Sequence, residues 1–180
     1  AGKSLCKYAV ENKDALKYDD AAIEKMKEEV LRPLKTYEEA QSLSSQADVN
    51  PGYILPKMFM MRLQKMMDEY AGGVTAQFTT SEPNLKRCLE LLDFLREDSA
   101  KLGAPDLHQL MRAWENTHRM YQAEAHVRTI LFREETRWPG YYFRSDMPTM
   151  KDDWACFANC KLDPNSGEWE MKKVEIKHIM

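Results

Sequence analysis

Apolar residues recur at helical spacing along most of the chain and switch to alternation only near its C-terminal end. In Tyr53–Tyr70, Phe59, Leu63, Met66 and Tyr70 share one stripe, which Met58, Met61 and Met67 broaden. Ala71-Gly72-Gly73 closes that helix, with glycine suited to the left-handed position. Val74–Thr80 is β-leaning but short and reads as a loop. Ser81-Glu82-Pro83 is a helix start, a hydroxyl cap followed by proline in the first turn. Leu85, Cys88, Leu89, Leu92 and Leu95 then form a stripe, widened by Leu91 and Phe94, predicting a helix over 84–101. Leu102-Gly103-Ala104-Pro105 ends it, and Asp106 or a neighbour starts a helix over 105–134. This last helix has two stripes, one of Leu107, Leu110, Met111, Trp114, His118, Tyr121 and Ala125. The other is Met120, Ala123, Val127, Ile130 and Leu131, so the helix must pack against more than one neighbour.

Upstream, Ile23, Met26, Val30, Leu34 and Tyr37 predict a helix over Ala21–Leu43, with Pro33 expected to kink or break it near Val30–Arg32. Ala1–Asn12 has a short helical pattern (Leu5, Tyr8, Ala9) that reads as the tail of a helix begun upstream. Trp154–Lys161 and the alternating Trp169–Ile176 flank the turn Asp163–Gly167 and predict a β-hairpin. The expected fold is therefore mainly α: an antiparallel bundle of three or four long helices with a C-terminal extended segment and a β-hairpin.

Length and charge narrow the function. A chain of 180 residues can bury a real core. Its formal charge of -3 and pI near 5.9 argue against nucleic-acid or anionic-membrane binding. No stretch approaches the apolar length of a membrane span, and the start Ala-Gly-Lys-Ser has neither an initiator Met nor an apolar signal core. A processed or excised segment is the expectation there. The four cysteines form no disulfide framework, and Cys156-x3-Cys160 has no histidine nearby to complete a zinc set, so reduced cysteines in a cytoplasmic protein are expected. Five of the twelve methionines lie in Tyr53–Tyr70. They suit either an adaptable groove or, as the preferred reading at that spacing, core packing.

A search for chemistry yields no complete active site. Glu115-x-x-His118 has the spacing used in di-iron bundles, but no second copy exists, and pairing of Glu115 with Arg119 is the simpler reading. His118 and His126 stand about 12 Å apart along a helix, too far to share a metal. There is no G-x-S-x-G, Walker or G-x-G-x-x-G pattern. The distinctive stretch is the exit of the last long helix. There Arg128, Arg133, Arg137 and Arg144 interleave with Glu124, Glu134, Glu135 and Asp146, and Trp138, Tyr141, Tyr142 and Phe143 crowd into six residues. Rings that avoid water beside fixed charge suggest a docking surface.

Glu135-Thr-Arg137, the aromatic tract, Arg144-Ser-Asp146-Met-Pro148 and Lys151-Asp-Asp153-Trp154 resemble the C-terminal end of the succinate dehydrogenase/fumarate reductase flavoprotein superfamily. Where many members have G-A-H, this chain has Trp138-Pro-Gly-Tyr-Tyr142. That version, with Arg112–Arg119 and Ala123–Asp146, is similar to the adenylylsulfate reductase branch. The resemblance implies a longer flavoprotein subunit whose FAD is bound upstream, with no cofactor or metal held within 1–180. It implies an iron–sulfur beta subunit as partner. Residues 1–12 would be the remnant of the last FAD-domain helix, 13–136 the bundle, and 137–180 a docking segment with a hairpin tail. Glu135, Arg137, Trp138, Tyr141, Tyr142, Phe143, Arg144, Asp146 and Trp154 would dock on the FAD-binding domain. The alternatives are a fumarate reductase or succinate dehydrogenase subunit, or an independent helical interaction module.

Overall fold

A computed structural model of the chain describes residues 2–13, 19–43, 50–137 and 142–176. It is mainly helical with a little sheet. The helices are α1 (Gly2–Glu11), α2 (Asp20–Ala40), α3 (Pro56–Tyr70), α4 (Glu82–Ser99) and α5 (Leu107–Phe132). The strands are β1 (Thr79–Thr80), β2 (Phe143–Arg144), β3 (Cys156–Leu162) and β4 (Trp169–Glu175).

The core lies where α3, α4 and α5 meet. Phe59, Leu85, Cys88, Leu92 and Val127 are wholly buried there, with Leu63, Leu95, Ala113, Met120 and Ile130 around them. Full burial of one such large side chain contributes about 1.5–3 kcal/mol. On α5 Met120, Ala123, Val127 and Ile130 of the second stripe are buried, as is Leu110 of the first, whereas Leu107, Met111 and Tyr121 of the first are exposed. The helix packs against α2, α3 and α4, more than one neighbour as expected. Phe94, expected to widen the core face of α4, is exposed too. The methionines of α3 divide: Met66 and Met67 pack on the core, whereas Met58 and Met61 face outward.

Helix α2 is continuous through Pro33, so of the expected kink or break there is no break. The buried ring sits where α2 is held laterally: Trp114 Nε1 donates to Val30 O at 2.9 Å and Ala104 N to Pro33 O at 2.8 Å. These bonds fix α2 to α5 and to the α4–α5 connection across the site of the missing backbone donor. Buried Asn116 similarly donates to Pro56 O at 2.6 Å, tying α5 to the first residue of α3. In the α4–α5 connection, Gly103 N donates to Ile54 O at 3.0 Å. A Cβ on Gly103 would stand 2.7 Å from Tyr53 Cβ, so only glycine permits this approach. Helix α1 buries none of its residues.

Val74–Thr80, read as a loop, contains β1, which pairs in parallel with β2 from beyond α5. Strand pairing between segments so far apart leaves no periodic signature in a two-residue strand. β3 and β4 pair antiparallel from Cys156↔Glu175 to Leu162↔Trp169. Gly167, with φ of +72°, supplies the left-handed residue of their connection.

Candidate functional site

Any α-helix ends with carbonyls that have no partner within it. At the end of α5 these are met by Arg144, a residue from the returning chain. Arg144 Nη1 donates to Ile130 O at 2.7 Å and lies 3.4 Å from Leu131 O and 3.3 Å from Arg133 O. Its Nε and Nη2 donate to Asp146 Oδ1 and Oδ2 at 2.8 and 2.6 Å, a bidentate pair. The Arg144 side chain is 1% exposed. Asp146 Oδ2 also accepts from Glu82 N at 3.0 Å, the first backbone donor of α4.

Ser81 occupies the N-cap position of α4 but makes no side-chain cap bond. The expected hydroxyl cap is replaced by a carboxylate 64 residues further along the chain. Charges therefore alternate in space: negative end of α5, Arg144, Asp146, positive end of α4. Each neighbour is attractive to the next. The hydrogen bond from Arg144 holds Asp146 well below the usual carboxylate range, at about 2.

A second cluster centres on Glu135, whose side chain is fully buried. Oε1 accepts from Arg133 Nη1 and Arg137 Nε, both at 2.6 Å. Oε2 accepts from Arg137 Nη2 at 3.0 Å and from Lys151 N at 2.8 Å. Burial alone pushes Glu135 up, but the bonds from Arg137, Lys151 N and Arg133 outweigh it and its pKa falls below the ordinary value. Arg133 also donates to Trp154 O at 3.0 Å and Cys156 O at 2.8 Å, and its guanidinium lies 5.4 Å from the Trp154 ring centre. Arg137 Nη2 donates to Lys151 O at 2.9 Å. Trp154 is buried edge-on against Phe132, with centroids 5.3 Å apart. Together these contacts fold 133–137 and 142–154 back onto α5 and lay β3 alongside it.

Between the clusters, Thr136 Oγ1 accepts from Arg144 N at 2.9 Å and donates to Met147 O at 2.9 Å. Phe143 N donates to Phe78 O at 2.7 Å and Ser145 N to Thr80 O at 2.9 Å, holding the segment against β1. Gln77 and Phe78 both have left-handed backbones, with φ of 53° and 56°, costing about 1–2 kcal/mol each. They turn the chain so that Phe78 O faces the returning strand.

Of the residues expected at a docking surface, Glu135, Arg144 and Trp154 are buried and bonded within the chain. Arg137 keeps 21% of its side chain exposed and Asp146 26%. Tyr142 and Phe143 are partly buried; burial raises the Tyr142 phenol above its usual range. Trp138 and Tyr141 lie outside the described residues. Beside the segment is a recess of about 460 Å³, lined by Ile130, Arg137, Tyr142, Trp154, Phe157 and Ile176 among others. Phe157 is 56% exposed and Ile176 42%. Sequence reading did not single out this pair, nor the bonding roles of Arg133 and Thr136. The available signal was Phe157 itself, an apolar residue on the outward parity of β3.

No group of three or more His, Cys, Asp or Glu that could hold a metal occurs among the described residues. Glu115 pairs with Arg119 at 3.5 Å, and His118 lies beside Trp114 with ring centroids 6.3 Å apart. No helix among the described residues is long and apolar enough to cross a membrane.

Residues 60–180 match the family described as fumarate reductase flavoprotein C-term. Over 180 residues the chain is 42% identical to the adenylylsulfate reductase subunit alpha of Megalodesulfovibrio gigas, covering 99% of this chain and 27% of that protein. It superposes on adenylylsulfate reductase from Archaeoglobus fulgidus with a TM-score of 0.89 and 48% identity, covering 98% of this chain and 28% of that one. The Mycobacterium smegmatis Sdh1 complex shares the fold, with a TM-score of 0.68 at 19% identity over 96% of this chain and 27% of that one. The chain thus spans little more than a quarter of the length of these relatives.

Proposed function

The chain belongs to the fumarate reductase flavoprotein C-terminal family, and from that premise we propose that it is the C-terminal structural and docking domain of an FAD-dependent adenylylsulfate reductase subunit. The whole subunit would reduce adenylyl sulfate to sulfite and AMP, or run the reverse, in the cytoplasm. FAD would be bound upstream of this domain, with electrons exchanged through an iron–sulfur beta subunit. The observation that carries this reading is the near-complete coverage of this chain at 42% and 48% identity by adenylylsulfate reductases about four times its length.

Residues 1–12 would continue the last FAD-domain helix, 13–136 would form the antiparallel bundle, and 137–180 the docking segment and tail. The geometry favours a division of labour among the residues from Glu135 onward. Glu135, Arg144, Asp146 and Trp154 build a fixed platform on the ends of α4 and α5. Arg137, Tyr142 and Phe143, with Phe157 and Ile176 beside them, present a half-apolar edge that a neighbouring domain would cover. A platform already rigid has less conformational freedom to lose on docking.

The test uses the full-length subunit. Replacing Arg137 with Ala, or Phe157 with Ser, is expected to lower retained flavin and recovery of the assembled heteromer, while circular dichroism stays helical. Unchanged flavin content and unchanged assembly in both variants would refute docking through this edge. Flavin absorbance co-purifying one-to-one with residues 1–180 alone would refute the placement of FAD upstream.

A further inference from the structure

At the opposite end of α5 from the exit segment, α3 and α5 flank a groove of about 450 Å³ that the docking role leaves unused. One wall is the stripe Lys57, Met60, Met61 and Gln64; the other is His108, Met111, Arg112, Glu115 and Arg119. The spans Pro56–Gln64 and His108–Arg119 make the groove about 12–16 Å long, two to three turns of helix. Its apolar lining is methionine, with Met61 53% and Met111 52% exposed, an unbranched surface that adapts to different side chains.

Charge distinguishes this groove. The chain as a whole is net negative, at -3. Here Lys57, Arg112 and Arg119 face a lone carboxylate, Glu115, which is already paired with Arg119 at 3.5 Å. Lys57 and Arg112 have no ion-pair partner among the described residues. A methionine floor with unpaired cations along both rims complements one kind of occupant.

We propose that this groove receives an acidic amphipathic helix of another polypeptide, two to three turns long. Its aliphatic side chains would rest on Met60, Met61 and Met111, and its carboxylates would meet Lys57 and Arg112. An amphipathic helix laid into a groove between helices is a recurring way such a face is covered. The rim cations set orientation and the encounter rate, and the methionines supply the apolar area. The inference does not depend on the flavoprotein reading, because it uses residues at the other end of α5 and no cofactor.

The probe is a fluorescein-labelled peptide of about 14 residues, with leucines at helical spacing and glutamates elsewhere. Its counterpart carries lysines in place of the glutamates. Anisotropy titrations with the purified full protein are expected to show the glutamate peptide binding at least about tenfold tighter, an advantage that shrinks as salt rises. The double variant Lys57→Glu/Arg112→Glu should lose about tenfold or more. Met61→Ser/Met111→Ser should lose severalfold at constant charge. Lys161→Glu/Lys172→Glu, the same charge change placed on β3 and β4, should stay within about twofold. Equal affinity for the two peptides would overturn the proposal, as would an equal loss from the strand variants. Self-association of the protein that the groove variants abolish would overturn it too, by making a second copy the occupant.

Discussion

Replacing Asp146 with Asn tests whether the two helix ends are joined through charge. The carboxylate holds the bidentate bond from Arg144 and caps α4 at Glu82 N. Asparagine keeps the shape and one acceptor but leaves the Arg144 guanidinium, 1% exposed, without a counter-charge. Removing one partner of a buried pair costs about 3–5 kcal/mol. Helix carbonyls still solvate Arg144 and Asp146 itself is 26% exposed, so about 2–3 kcal/mol is expected here.

Part of that loss must depend on pH. The folded pKa of about 2 lies below the ordinary 3.8, so ionised Asp146 stabilises the fold above about pH 4. The contribution fades as pH falls toward 2. The difference in pKa is equivalent to ~2.4 kcal/mol before screening and about 1–1.5 kcal/mol after it. Urea unfolding followed by tryptophan fluorescence at pH 7, 5, 3.5 and 2.5 measures both quantities. The gap between the two proteins should be level from pH 7 to 5 and shrink by about 1 kcal/mol by pH 2.5. A gap below about 0.5 kcal/mol at pH 7, or one that stays constant to pH 2.5, would refute the charge relay.

Two further outcomes are expected. Gly103→Ala should lower stability by about 1–3 kcal/mol, read as a fall in the thermal midpoint, because the new methyl would meet Tyr53 Cβ at 2.7 Å; an unchanged midpoint would show that the 53–54 segment moves freely. Burial pushes the Cys88 thiol up to about 11, whereas Cys6 is exposed. Iodoacetamide at pH 8 should therefore alkylate Cys6 in the native protein and leave Cys88 intact by peptide mass spectrometry. Equal labelling of the two would contradict the packing of α3 against α4.

Much of the helical scaffold was legible along the chain because a helix face repeats within a few residues. Phe59 and Leu63, then Leu85, Cys88, Leu92 and Leu95, stand in the stripes that become the core. A helix start at Asp106 or a neighbour was legible for the same local reason, and the N-cap is Asp106, its carboxylate accepting from Gln109 N at 2.8 Å. What was not legible was how far a neighbour covers each face. Leu107, Met111 and Tyr121 of α5 are exposed although Leu110 of the same stripe is buried and Trp114 bonds to α2, and periodicity carries no information about where along a face the cover ends. That α2 stays continuous at Pro33 was not legible for a related reason: the lateral bonds from Trp114 and Ala104 that hold α2 there come from distant segments.

At the exit of α5 the division is sharper. Along the chain Glu135, Arg137, Arg144 and Asp146 stand in an unusually charged and aromatic stretch, and its motifs resemble the end of a flavoprotein subunit. Burial decided their roles. Arg144 turns inward because the last carbonyls of α5 lack donors, and Asp146 follows it because α4 begins beside them. Those partners lie up to 64 residues away in the chain. Helical periodicity is a local property of the polypeptide, set by backbone geometry over a few turns. The pairing of one helix's end with another's beginning is a property of three-dimensional packing, and only the folded chain could settle it.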